Sequence, residues 1–224
     1  MDWTALGVSI RLSFCTMMVL LLLGTPIAYW LAFSRWRLKF LVEAVVALPL
    51  VLPPTVLGLY VLVSIGPRSP VGRFYRELTG DSLPFSFQGL LLASVLYSLP
   101  FAVQPFAAAF GSVDGRLIEV SRCLGSSSWK TFRRVILPLS LPGVVTGMIL
   151  SFAHTLGEFG VVLMVGGNLP GKTRTASISI YDEVQALHYS AAFQTSLLLL
   201  GVSFAVLAVT YAVRRSVWAA WPTK

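Results

Sequence analysis

Three groups of residues in this chain have the types and spacing to do chemistry. In GGNLPGKT (166–173), Gly166, Gly171, Lys172 and Thr173 fill the pattern G-x-x-x-x-G-K-[ST], whose backbone N–H groups and lysine can cradle a nucleotide phosphate. His154 and Glu158 stand four residues apart, the spacing of one helical face, where an acid and an imidazole could relay protons or hold a gate. Trp129, Phe132 and Ile136 fall at i, i+3 and i+7, flanked by Lys130, Arg133 and Arg134. Such an aromatic and basic helix can lie on anionic lipid or fill a groove on a partner, and the residues alone favour neither.

The elements that must carry these groups are set by composition. Apolar residues make up 56% of the 224, charged residues 12%, and mean hydropathy is +0.79. A soluble domain carries about 25% charged residues, so the chain falls in the membrane class. Uncharged runs cover Leu12–Ser34, Ala44–Pro67, Ser82–Val113, Val135–Gly157 and Val184–Val213. About 20 apolar residues suffice to cross the hydrocarbon core as a helix, so five spans are expected in an all-α protein. The first run is too long for the core of a secretory signal and follows Asp2 rather than a basic stretch, so it is expected to stay as a span. Cys15 and Cys123 fall in different compartments on this reading, which argues against a disulfide, and two such thiols match no metal-ligand spacing.

The net charge of +8 does not mark a nucleic-acid binder, because the cations alternate between connecting segments. Arg35, Arg37 and Lys39 follow the first span; Arg116, Arg122, Lys130, Arg133 and Arg134 follow the third; Arg214, Arg215 and Lys224 follow the last. The segments after spans two and four hold fewer, largely offset by acids. The positive-inside rule then puts the N-terminus outside and the C-terminus in the cytoplasm, as an odd number of spans requires.

That topology turns GGNLPGKT outward, away from any ATP pool. The run before it, VVLMV, continues a span rather than forming a sheet strand, and Pro170 removes one of the N–H groups such a loop depends on. The nucleotide reading is rejected. Asn168, Pro170 and Gly171 instead make a tight turn that presents Lys172 and Arg174, which suits an anion route, a docking surface or an ordinary solvated loop.

Several spans carry internal breaks. Pro49, Pro53 and Pro54 must kink or break the second; Pro100 and Pro105, with Ser98 and Gln104, bend the third; Pro138, Pro142, Gly143 and Gly147 open the fourth. Freed carbonyls in a bilayer are tolerated where protein or a water-filled cavity covers them, so bent helices lining a path are expected. Pro53, Pro54, Ser98, Pro100, His154 and Glu158 are the candidate path or gate residues. Twenty residues at about 1.5 Å each put Glu158 roughly 30 Å above Pro138, near the outer boundary. There it serves as a paired interfacial acid, an outer gate or a proton relay.

Gly125 splits the polar stretch between spans three and four at an expected helix C-terminus, and Ser126–Ser128 offer N-caps for a second short helix. Glu119, Gly125, Val135, Leu137 and Pro138 reproduce the spacing E-A-A-x-x-x-G-x(9)-I-x-L-P, with Val120 and Ser121 in place of the two alanines and Val135 in place of isoleucine. In this the chain resembles the permease subunits of ABC importers, over about Val8 to Tyr211. LPLVLPPTVLG, LGEFG and GNLPGKTRT resemble the molybdate branch, with tungstate and sulfate permeases as near relatives. The resemblance implies the type I ABC-importer permease fold, one permease domain over 1–224 (core about 8–211), and a cytoplasmic coupling segment over 112–138. It further implies Glu119, Gly125, Trp129, Phe132, Arg133, Leu137 and Pro138 as ATPase-coupling residues. It implies a multi-pass inner-membrane homodimer, a cytoplasmic ATPase that carries ATP and magnesium, and an external oxyanion-binding protein. The chain itself would bind no cofactor or metal and catalyse no bond chemistry. The rival class, an ion-coupled secondary anion transporter, would use His154 and Glu158 as its relay and need no ATPase.

Overall fold

The computed structural model describes residues 2–219, so Lys224 lies outside the described residues, and the side chains of Arg214 and Arg215 are likewise not described. Among the described residues there are eleven α-helices and no strand. The long ones are α1 (Trp3–Phe33), α5 (Phe87–Gly111), α8 (Leu137–Leu156) and α11 (Tyr189–Ala219). Between them lie α2 (Lys39–Val51), α3 (Pro54–Ile65), α4 (Pro70–Thr79), α6 (Gly115–Cys123), α7 (Ser128–Thr131), α9 (Gly160–Gly166) and α10 (Ala176–Gln185). Residues Phe132–Ile136 form a π-helical turn that joins α7 to α8 without a break.

The helices begin where the sequence supplies a side-chain acceptor. Asp2, Ser69, Ser86, Asp114 and Ser127 each accept from a backbone N–H in the first turn of the helix that follows. The core is the packing of α1, α5 and α8 through Leu20, Ala28, Ala102, Val103, Phe106, Phe110 and Val144. Gly143 and Gly147 permit it: a Cβ on Gly147 would sit 2.7 Å from the Phe106 ring, and one on Gly143 would run into Ala109. Small residues at such contacts are how helices approach closely where the surrounding lipid is as apolar as the side chains.

Four helical stretches are long and apolar enough to cross a membrane, and a fifth span is counted if α2 and α3 are taken as one bent element. The bend between those two is 113°, far beyond a kink. Its cause is local. Pro53 and Pro54 cannot donate back to the preceding turn, and a residue before proline is pushed out of the helical region. Leu52 and Pro53 accordingly have ψ of 135° and 136°, and α3 restarts with Val56 and Leu57 N–H both on the Pro53 carbonyl. The fourth span stops at Leu156, one residue short of the expected end at Gly157, and the chain resumes as the short helix α9 at Gly160.

Candidate functional site

The two interruptions meet. A Cβ placed on Gly160 would lie 2.8 Å from Pro54 Cβ, and one on Gly58 would lie 2.8 Å from Met164 Cβ and 3.3 Å from Val161 Cα. So α3 and α9, the limbs that follow the Pro53–Pro54 and Gly157–Phe159 breaks, lie against each other with almost no side chain between them. Two stretches more than a hundred residues apart in sequence form one structural joint.

Beside it runs a short polar chain between α5 and α8. Ser98 Oγ lies 2.9 Å from His154 Nδ1 and 2.9 Å from Thr155 Oγ1, and Thr155 Oγ1 donates to the Ser151 carbonyl at 2.9 Å. Proton counting fixes the directions. Thr155 spends its only proton on Ser151, so Ser98 must donate to Thr155, and Ser98 must then accept from a protonated His154 Nδ1. The ring is held flat by Phe101, stacked at 3.9 Å, and by Tyr97 at 4.8 Å. Pro100 is buried on the same helix.

Glu158 is buried within the protein, 4% exposed, with the Ser94 hydroxyl beside its carboxyl as a hydrogen-bonding neighbour. The helix ends before it, so the i, i+4 relation to His154 expected from sequence does not form. A carboxyl enclosed in this way is costly to hold as an anion.

The loop that matches the nucleotide pattern is closed on itself. The N–H groups of Lys172, Thr173 and Arg174 all reach the Leu169 carbonyl at 3.0–3.1 Å, and Gly167 N–H goes to Leu163. Leu169 N–H donates to Thr173 Oγ1, while the buried Thr173 hydroxyl donates to Gly166 at 2.6 Å. These backbone donors are therefore spent inside the loop rather than held for a phosphate. Arg174 is also committed: its Nε donates to Asn168 Oδ1 at 2.6 Å, and its guanidinium faces Asp182 at 3.4 Å and Asp2 at 3.8 Å. Asn168 in turn donates to Asp182 at 2.6 Å. Of the three residues proposed for an outer docking loop, Asn168 and Arg174 bind the loop to α1 and α10, and Lys172 alone is exposed.

At the other end of the spans, α6 ends in a Schellman motif. Ser126 N–H reaches the Ser121 carbonyl, Gly125 N–H reaches Arg122, and Gly125 has φ +75°. Ser121 and Thr131 then tie α6 to α7 through a 3.0 Å hydroxyl contact. The Trp129–Phe132–Ile136 stripe does not face outward as one surface. Ile136 is buried, and the Phe132 ring packs edge-on against Tyr29 (5.4 Å) and Phe110 (5.8 Å). Trp129, stacked on Phe132 at 5.7 Å, is 70% exposed. The exposed apolar stripe is instead Leu117, Val120 and Leu124 on α6, joined by Trp129, with Glu119, Arg116, Arg122, Lys130, Arg133 and Pro138 exposed around it and Leu137 half-buried. The i, i+3, i+7 spacing of Leu117, Val120 and Leu124 was the signal for it.

Broken spans meeting at a joint, with an apolar and basic platform at the opposite end, suit a transport path driven from one side. The sequence profile of the family described as "Binding-protein-dependent transport system inner membrane component" matches residues 24–218. The chain belongs to this family. Among its curated relatives, the molybdenum transport system permease protein ModB of Azotobacter vinelandii is 50% identical over 214 residues, 96% of this chain and 95% of the relative. The protein of the same name from Escherichia coli K12 is 36% identical over 184 residues, covering 82% and 80%. Among solved structures, the inward-facing MetNI methionine ABC transporter superposes with a TM-score of 0.75 at 19% identity, covering 96% of this chain and 95% of that one. A bacterial ABC transporter for alginate import gives 0.72 at 18%, covering 95% and 78%. At such identities these two establish the fold: this inner-membrane component is an all-α permease of the type I ABC-importer kind.

Proposed function

We propose that this chain is the molybdate-conducting permease of an ATP-driven importer, with residues 1–224 forming one permease domain (core about 8–211). Two copies enclose the path, the N-terminus is outside and the C-terminus cytoplasmic. An external oxyanion-binding protein delivers substrate, and a cytoplasmic ATPase, which carries ATP and magnesium, docks on residues 112–138. The observation that carries this reading is the exposed platform of Leu117, Val120, Leu124 and Trp129, ringed by Arg116, Arg122, Lys130 and Arg133. A platform of this kind fits a groove on a partner, which a transporter driven by an ion gradient does not require. Glu119, Gly125, Leu137 and Pro138 set its backbone, Phe132 is its internal support, and Trp129 its anchor. The names of the relatives in Azotobacter and Escherichia support molybdenum as the cargo.

The joint at Pro53, Pro54 and Gly160, with the Ser98–His154–Thr155 chain and Glu158 beside it, is the proposed gate. Rigid limbs on either side of a break can exchange inward- and outward-open arrangements when the partner binds ATP. Uptake of labelled molybdate into proteoliposomes holding permease, ATPase and external binding protein tests the reading. ATP-dependent accumulation, competed by tungstate and poorly by sulfate, is expected. Accumulation without the ATPase, driven by a proton gradient, would replace it with the secondary-transport reading that the buried Glu158 and oriented His154 favour.

A further inference from the structure

The sequence left the polar stretch between α3 and α5 without a role, and the structure builds a capped helix there. In α4, Ser69 Oγ accepts from Gly72 N–H at 2.9 Å, Pro70 starts the first turn, and Gly80, at φ +77°, ends the helix with its N–H on Arg76. Its orientation is fixed by two contacts. A Cβ on Gly72 would collide with the Gly66 and Ile65 carbonyls, so that face rests directly on the end of α3. Tyr75 packs against the cluster of Leu57, Val61, Ile65 and Leu83. With Gly72 and Tyr75 turned in, Val71, Phe74 and Leu78 share the adjacent face and are 52%, 66% and 73% exposed. Arg73, Arg76 and Glu77 take the remaining face, and Arg68, Arg73 and Arg76 are exposed and make no ion pair among the described residues.

We propose that α4 is an in-plane membrane helix whose occupant is phospholipid at the membrane–water boundary. Three observations choose lipid over a protein partner. The helix is tied by four residues to α3 and by seven to α5, both parts of membrane spans, so it cannot leave the boundary. The helix on which it rests, α3, likewise exposes large apolar side chains, at Leu59, Tyr60 and Val63. Its unpaired arginines match the phosphates that line such a boundary, and an amphipathic helix of this kind buries its apolar side about 5–10 Å into the headgroup and acyl region.

The test uses permease assembled with its ATPase in nanodiscs of phosphatidylethanolamine and phosphatidylglycerol, with Cys15 and Cys123 replaced by alanine. Nitroxides are attached singly through F74C, L78C, R73C and E77C. Oxygen collisions should exceed those of a water-soluble nickel chelate at 74 and 78, with the order reversed at 73 and 77. Nickel dominance at all four positions would overturn the proposal, because the helix would then be solvated. Low collision rates for both reagents at 74 and 78 would also overturn it, because a second copy or a soluble partner would then cover the face. Should the labelled variants fail to assemble, wild-type protein can be photolysed with a phospholipid carrying a diazirine just below its carbonyl. Adducts within residues 70–79 support the proposal; adducts on α3 at 59–63 with none on 70–79 refute it.

Discussion

Trp129 and Phe132 stack on one another, yet the structure assigns them opposite consequences. Trp129 is 70% exposed in the isolated chain, so Trp129→Ala removes little buried contact. Surface replacements of that kind stay within about 0.5 kcal/mol of wild-type stability. In the assembled transporter the indole becomes a desolvated anchor, and losing such an anchor costs about 2–4 kcal/mol of binding. That is roughly a 30- to 1000-fold weaker complex with the ATPase. Phe132 packs against Tyr29 and Phe110 inside its own chain. Full-core Phe→Ala changes cost about 3–5 kcal/mol, and a half-buried ring takes about 2–3. Phe132→Ala should therefore lower the unfolding temperature of the permease, with a smaller direct effect on docking. Both quantities are measurable in one preparation: thermal unfolding of the permease alone, and titration of the ATPase onto detergent-solubilised or nanodisc-held permease. If Trp129→Ala unfolded the permease while leaving ATPase affinity unchanged, the platform would not be the docking surface and the assignment of 112–138 would fail.

The gate and the outer loop give three more expectations. Gly160→Ala must push Pro54 away by several tenths of an ångström, and such overpacking costs about 1–3 kcal/mol, so transport should fall while ATPase docking persists; unchanged uptake would dismiss the α3–α9 joint as a moving part. Glu158→Gln keeps the size of the buried acid, so ATP-driven uptake should survive an uncoupler in both wild type and variant; collapse of wild-type uptake with ATP abundant would favour a proton relay. Lys172→Ala should leave both stability and ATP hydrolysis intact, whereas Arg174→Ala removes one hydrogen bond to Asn168 and the ion pairs with Asp2 and Asp182 and should cost about 1–2 kcal/mol after allowance for partial solvent screening. Equal unfolding temperatures for these two variants would show that the loop network contributes nothing.

What the sequence by itself determined is what depends on local chemistry. Long uncharged runs dictate helices that cross lipid, since no other backbone arrangement of such residues satisfies its own hydrogen bonds there. Pro53 and Pro54 dictate a break, Gly125 a left-handed helix end and Ser127 a cap, and each stands where its own backbone requirement puts it. The family, too, was legible in the spacing of Glu119, Gly125 and Pro138. Tertiary structure decided whatever depends on which face meets another element. Proline shows that a helix must break, by 113° here, but only the fold shows that α3 then packs on α9 through Gly58 and Gly160. A heptad-like stripe shows that Trp129, Phe132 and Ile136 share a side, but only the arrival of Tyr29 and Phe110 reveals that most of this side faces inward. Counting along a straight helix gave Glu158 a height but no neighbours; the helix ends two residues earlier, and the chain turns the carboxyl in among other side chains. Periodicity reports direction around one helix axis, whereas burial is set by neighbours that arrive from distant parts of the chain.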